Sequence, residues 1–586
     1  MEIFSRFKCT FCVLIFCLIT GNSFAQTPAP FLINETHTFA SAFKAYKNMA
    51  ERYPTKCQFQ QIGSSDYGIP VPLFLMNESG LFTAAEIESK NVILINNAIH
   101  PGEPCGVDAS IKLAQDLLEG GLPKNVIIAI IPIYNVGGAH NRNCCSRANQ
   151  NGPSEYGFRG NAKNLDLNRD FIKADSKNTL AFYKIFHYLN PSIFIDTHTS
   201  NGADYQHTMT LITSQLNKMN PELATYTRDK LNPYLFNKME EGNYPMVPYV
   251  HPLGKTPDDG IIDYLETPRY STGYTNLFNT ISYVTEAHML KTYEERVKST
   301  YLFLNEMVTY VDNNHVELTE VRNKARKALI EKKEFALNWI QNTTQFDTIP
   351  FLGYTAQYKK SKVTGVDRLF YNREMPYKKH IRYFNTYIPT SYVTAPEYYI
   401  IPQAWDNIVD LLRANNIPVY QFKNETSLIV EMYEILDYET TQSPYEGHYL
   451  HSKIKVNPIK QNVTYRKGDF VVPVKNENIR FIIETLEPHA PDSYFAWNYF
   501  DAVLQQKEWF SPYVFEDEAA EMLDTDPGLK TDFELKKAKD TSFANNSFAQ
   551  LYYLYKKSPN YEQSNNKYPI TRLMKSLDPQ LLEASY

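Results

Sequence analysis

The chain has 586 residues, a formal net charge of -6 and a pI near 6.2. That balance excludes nucleic acid as the main partner, because binding phosphates takes a basic surplus. Hydrophobic residues at 43% and aromatics at 14%, with only 23 glycines, exclude a disordered or collagen-like chain; at roughly 150 residues per domain, two to four domains are expected.

The first predicted element is a secretory signal over residues 1–25. Arg6 and Lys8 precede an apolar run from Cys9 to Thr20, and Ser23 and Ala25 supply the small residues of a cleavage site. The run is too short to span a bilayer, which takes ~18 apolar residues, and no later stretch reaches that length. The mature chain is therefore expected to be exported, secreted or periplasmic, with no transmembrane segment after signal cleavage and a charge of -7. Cys9, Cys12 and Cys17 leave with the signal. Cys57, Cys105, Cys144 and Cys145 remain and permit disulfides. The adjacent Cys144 and Cys145 would most simply bridge to two other residues, if they pair. No CxxC pair remains, which argues against a thiolate zinc site.

Four short apolar runs follow: Val92 to Ile99, Val126 to Tyr134, Ser192 to Asp196 and Ile281 to Thr285. Continuous apolar runs of this length suit strands buried on both faces. Asp108 to Leu118, between the first two, has apolar residues at helical spacing. The alternation predicts an α/β fold, a mixed and mostly parallel sheet with helices on both faces, whose sites form at the carboxyl ends of the strands.

The chemically capable residues fall at those ends. The first strand runs into His100-Pro101-Gly102-Glu103, the third into Asp196-Thr197-His198 and the fourth into Glu286. Two His and one Glu are a standard three-ligand set for catalytic zinc, with the fourth position left to water. His100, Glu103 and His198 are the candidate ligands of one Zn2+ ion. Zinc lowers the pKa of a bound water toward ~7, and a nearby carboxylate then moves its proton. Glu286 is the candidate for that role. Alone, HxxE and DTH each carry little weight. The stretch RGNAKNLDLNR adds Arg159, Asn168 and Arg169. Arginine forks bind carboxylates through paired hydrogen bonds, so a metal beside them suits a substrate with a free carboxylate.

HPGE, RxNAxxxDLNR, DTH and a strand ending in Glu, in that order, resemble the M14 family of zinc carboxypeptidases over roughly residues 35–315. A helix near Phe39 to Tyr53, then a strand and Ile62-Gly63-Ser64-Ser65, agrees with that resemblance. It implies zinc at His100, Glu103 and His198, and Glu286 as general base and acid. It also implies Arg159 at the scissile carbonyl, and Asn168 and Arg169 on the terminal carboxylate of a peptide substrate. Two stretches depart from the family pattern: Asn135-Val136-Gly137-Gly138 replaces Asn-Pro-Asp-Gly, and Asn164 stands where Gly is usual. The family's mobile tyrosine has several candidates. Spacing back from Glu286 favours Tyr264; the loop from Pro268 to Tyr274 offers Tyr270 instead. Arg269 in that loop could favour an acidic side chain, although a structural ion pair is at least as good a reading. His207 and His288, close in sequence to the site, read as residues that either support its side chains from behind or pack.

A charged, helical stretch predicts a connecting helix over 316–342. Residues 343–586 then form an accessory domain, mixed or β-rich. Tyr398 to Phe422 reads as strand, helix, strand, and Phe470 to Val474 as a strand. His448, His451, Glu487, His489 and Asp492 read as hydrogen-bonding groups rather than a second metal site, and Tyr494 to Phe500 as core. Three functions fit. The first is a carboxypeptidase. The second is an amide hydrolase of the same architecture acting on cell-wall peptides or acyl-amino acids. The third is a non-catalytic peptide-binding protein, against which the complete residue set argues.

Overall fold

The computed structural model describes residues 28–585. The predicted signal, residues 1–25, lies outside the described residues. The principal elements of the first part are helix α1 (Phe39–Arg52), strands β1 (Cys57–Ile62), β2 (Val71–Met76) and β3 (Asn91–Asn96), helix α2 (Cys105–Gly120), strand β4 (Val126–Ile131), helix α3 (Lys177–Leu189), strands β5 (Ile193–Thr199), β6 (Met209–Thr213) and β7 (Val247–Pro248), helix α4 (Ser271–Asn276), strand β8 (Ile281–Ala287) and helices α5 (Tyr293–Asn313) and α6 (His315–Glu331).

One eight-stranded sheet runs β1-β2-β4-β3-β5-β8-β6-β7. Its centre, β4-β3-β5-β8, is parallel, and β1, β2 and β6 join antiparallel. Each of the four predicted apolar runs falls on one of these central strands, although the first two continue three residues past the ends of β3 and β4. Every residue of β3, β4 and β5 is buried, because helices cover both faces. Alternate side chains divide between two cores. Ile93, Ile95, Ile128, Ile130 and Ile195 pack with α1, α2 and α5, whereas Val92, Leu94, Ile127 and Phe194 pack with α3. Close approach sets one position: a Cβ on Gly106, in the first turn of α2, would lie 1.9 Å from Thr197 Oγ1 of β5. Only glycine lets that helix begin against the strand end.

The predicted connecting helix is too long. Helix α6 stops at Glu331, and Glu334–Gln341 is a strand, β9. Its apolar residues have period two: Phe335 and Leu337 are each 3% exposed and face the same core. The following strands are β10 (Asp347–Lys360), β11 (Asp367–Phe384), β12 (Tyr387–Thr394) and β13 (Tyr398–Ile401), then helix α7 (Asp406–Ala414) and strands β14 (Tyr420–Phe422), β15 (Thr426–Thr440), β16 (His451–Tyr465) and β17 (Phe470–Pro473). Helices α8 (Ile479–Leu486), α9 (Pro512–Thr525), α10 (Pro527–Lys539) and α11 (Ser547–Tyr555) and strands β18 (Thr571–Leu573) and β19 (Leu582–Ala584) complete the chain. Strand β9 pairs with β12, and β10 with β11. A second sheet, β16-β15-β18-β13-β17-β14-β19, is antiparallel throughout. The C-terminal region is thus β-rich, with a small helical core of its own at α9 to α11.

This second half shares its main core with the first. The core on the α3 face of the large sheet continues from Phe182, Phe186 and Phe278 into Phe335, Tyr399, Phe481 and Trp497. Phe278 and Phe481 rings lie 5.3 Å apart. Tyr494, Phe495, Trp497 and Phe500 are buried there.

Candidate active site

Strands β3, β5 and β8 are parallel, so their carboxyl ends lie at one edge of the sheet. His100 and Glu103 come from the loop after β3. His198 and Glu286 stand directly opposite each other on β5 and β8. A cavity of about 560 Å³ opens at this edge. His100, Glu103, Arg159, Asn168, Arg169, His198, Tyr264, Tyr270 and Glu286 all line it.

His100, Glu103 and His198 are buried, and their ligand atoms lie within 4.8 Å of one another. Glu103 sits between the two rings: its Oε1 is 3.3 Å from His100 Nδ1 and its Oε2 3.0 Å from His198 Nδ1. The far nitrogens face carboxylates, His100 Nε2 at 2.9 Å from Asp166 and His198 Nε2 at 3.3 Å from Asp196. That is the usual outer arrangement of histidines that bind zinc, in which a carboxylate orients the ring. His100 Nδ1 is buried without a hydrogen-bond partner, an arrangement a cation would complete. Burial opposes ionisation of Glu103, yet the Arg147 guanidinium and His100 hold its carboxyl well below the usual range. A buried anion between two imidazoles fits one Zn2+.

On the substrate side, Arg159 Nε donates to Asp166 Oδ2 at 2.9 Å, and Nη1 reaches Glu103 at 3.4 Å. Asn168 Oδ1 accepts from the Ser271 amide at 2.9 Å. The Arg169 guanidinium lies 4.4 Å from the Tyr270 ring centroid, a cation–π contact. Tyr264 and Tyr270 both stand at the cavity, edge to face at 5.4 Å. Tyr274 and Tyr283 do not: their hydroxyls bond Asn415 and Asn232 in the interior. Burial, reinforced by the Glu103 charge, pushes the Glu286 carboxyl up to about 7.

Arg269 does not reach the cavity. It is an ion pair with Asp492 of the second half, Nη2 to Oδ1 2.7 Å, under the Trp497 ring. His207 accepts from the Leu352 amide and packs on Phe351, and burial lowers its pKa to about 4. His288 packs at 4.2 Å from Tyr205. His448 and His451 pair with Asp175 and Asp501, and Glu487 with Tyr399 and Arg572. Among the described residues no second group of three metal-binding side chains occurs. Asn164 has φ 62°, the left-handed geometry that Asn tolerates in place of Gly. Asn135 caps the short helix Val136–His140 by accepting from the Gly138 amide.

Several contributors escaped the sequence reading. Asp166 and Asp196 sit inside the quoted motifs DLNR and DTH, where their own side chains passed as spacers. Arg147 has no motif: Nη1 donates to Glu103 at 2.6 Å and Nη2 to the Thr199 carbonyl at 3.1 Å. The same loop carries a disulfide. Cys144 and Cys145 bond to each other rather than to two other residues, while Cys57 and Cys105 are free and buried. Cys57 lies in β1 and Cys105 in the first turn of α2, whereas Cys144 and Cys145 are exposed.

Residues 43–225 match the family model described as zinc carboxypeptidase, Peptidase_M14. This stretch is of the M14 zinc carboxypeptidase family. The M14 stretch contains the three clustered ligands together with Arg159, Asn168 and Arg169, and ends before Tyr264, Tyr270 and Glu286. No curated protein matches the chain significantly. Similar solved structures include a metallo-carboxypeptidase from Burkholderia cenocepacia, 14% identical over 47% of this chain and 70% of that one, TM-score 0.35. A metallo-carboxypeptidase from Pseudomonas aeruginosa is 14% identical over 46% and 68%, TM-score 0.34. A carboxypeptidase A from Helicoverpa armigera is 12% identical over 51% and 75%, TM-score 0.36.

Proposed function

We propose that this protein is an exported, zinc-dependent carboxypeptidase that hydrolyses the last peptide bond of a substrate with a free C-terminal carboxylate. The observation that carries this reading is the convergence on one cavity of the His100–Glu103–His198 cluster, the Glu286 carboxyl and the Asn168–Arg169 pair. Zinc held by His100, Glu103 and His198 would polarise the scissile carbonyl and make water a stronger acid. Glu286, with a pKa near neutrality, takes the water proton and returns it to the leaving amine. Arg159 presents a fixed positive charge to the oxygen that becomes negative in the tetrahedral intermediate. Arg169 and Asn168 bind the substrate carboxylate, and Tyr264 or Tyr270 closes over it. Export rests on the basic start, apolar run and small residues of 1–25. The intact ligand set and general base weigh against a protein that only binds peptides.

The test is a panel of peptides with free or amidated C-termini, incubated with the zinc-loaded mature chain. Cleavage of the free series and not the amidated one is expected. Equal rates on both would sink the reading in favour of a broader amide hydrolase. Glu286→Gln should keep its zinc and lose at least ~100-fold in kcat, the usual scale for general acid–base catalysis.

A further inference from the structure

The turn between β15 and β16, residues 441–450, crosses from the second half of the chain to the loop that carries Arg159, Asp166, Asn168 and Arg169. Glu446 Oε2 accepts the Asp166 backbone N–H at 2.7 Å, across 280 residues of sequence. His448 Nε2 meets Asp175 Oδ2 at 2.8 Å, and the Tyr499 hydroxyl donates to the Lys173 carbonyl at 2.7 Å. The same loop is therefore held near its middle and at its end by the C-terminal region.

Glu446 has φ 50°, a left-handed conformation unfavourable for a residue with a long side chain. Such strain persists where surrounding contacts enforce it, and it gathers at sites where position matters. Here the enforcing contacts are the Tyr445–His448 turn, closed by 2.7 Å and 3.1 Å backbone hydrogen bonds, and the Glu446–Asp166 bond itself. What is held is a residue that touches both the metal cluster and the two substrate arginines. Asp166 Oδ1 faces His100, Oδ2 accepts from Arg159, and Arg169 Nη1 lies 3.9 Å away. Asn168 follows two residues later, so a shift at the Asp166 backbone moves both groups that grip the substrate carboxylate.

We propose that Glu446 is a positioning residue, by which the C-terminal half holds the carboxylate-binding loop in register with the metal cluster. This deepens the carboxypeptidase reading and rests on it. Misplacement of positioning groups by about 1 Å can cost on the order of 100-fold, and loosening one anchor of several is expected to cost about tenfold.

The experiment compares wild type, Glu446→Ala and Glu446→Gln in the full mature chain, by kinetics and by hydrogen–deuterium exchange. The Gln side chain keeps an oxygen that can accept the Asp166 N–H. The Ala variant should raise KM for free-carboxylate peptides about tenfold with kcat changed less, because Asn168 and Arg169 shift before the metal cluster does. Exchange over residues 159–175 should rise in the Ala variant, and the Gln variant should restore both readouts. Unchanged exchange over 159–175 in a folded Ala variant overturns the anchor, whatever the enzyme cleaves. A Gln variant as impaired as Ala overturns it too, and it carries the test if Ala does not fold. A wild type indifferent to C-terminal amidation would instead sink the carboxypeptidase reading, and the exchange result would still decide the anchor.

Discussion

A single carboxylate organises the candidate site at the scale of residues. Asp166 faces His100 with one oxygen and Arg159 with the other, so it orients a metal ligand and an oxyanion group at once. Replacing it with Asn preserves the shape and removes the negative charge that orients the His100 ring. Zinc affinity should then fall 10- to 100-fold, the ordinary cost of losing a carboxylate behind a ligating histidine. Competition with a chelator measures this; an unchanged dissociation constant would show that Asp166 only supports the loop. The ligands themselves were legible because HPGE and DTH put three metal-capable side chains at strand ends. Asp166 was not, since an Asp in a motif looks the same whether its side chain faces solvent or a ring nitrogen.

At the scale of elements, strand pairing supplies a floor for the cavity. Val284 lies two residues before Glu286 and so on the same face of β8, and Ile212 of β6 is its direct cross-strand partner. Both line the cavity, whose acidic residues, among the described residues, are Glu103 and Glu286. With Arg269 engaged elsewhere, peptides ending in Leu or Phe should be cleaved at least about tenfold faster, in kcat/KM, than those ending in Asp or Arg. Val284→Asp should shift the preference toward C-terminal Arg or Lys; a panel that ranks Asp first in wild type would refute the floor. Beside the short strand Ile261–Ile262, Asp263 accepts from Gln215 Nε2 at 2.9 Å, and burial with the nearby Glu266 charge pushes its pKa up to about 7. The folded protein thus holds a proton that the unfolded chain, with a pKa near 4, releases. The stabilisation is full below about pH 4 and is lost as the pH rises to about 7. Asp263→Asn should therefore gain melting temperature over wild type as pH goes from about 5 to about 8. A difference that stays constant with pH would exclude titration of Asp263 as the cause. Helix and strand were hardest to separate at Glu334–Gln341, where charged neighbours continue a helical pattern while the period-two burial of Phe335 and Leu337 makes it a strand.

For the whole molecule, the two halves behave as one packed body around the α3 face of the large sheet. Their polar contacts agree: Arg269 with Asp492, Tyr274 with Asn415 and Asp166 with Glu446. Calorimetry should show the first half and the second sheet melting in one transition, and a chain ending at residue 342 should fail to fold, since Phe182, Phe186, Tyr274 and Phe278 would lose their cover. Two well-separated transitions, with the first half surviving alone, would contradict this. The sequence by itself determined the central strands, from apolar runs a few residues long, and the candidate site residues, from short motifs at strand ends in a recognisable order. Only the tertiary structure decided the course of Arg269 into the core, the pairing of Cys144 with Cys145, the place of Arg147 behind Glu103 and the hold of Glu446 on Asp166. Most of these contacts join residues tens to hundreds of positions apart, and local spacing carries no information about which distant charge a folded chain brings alongside.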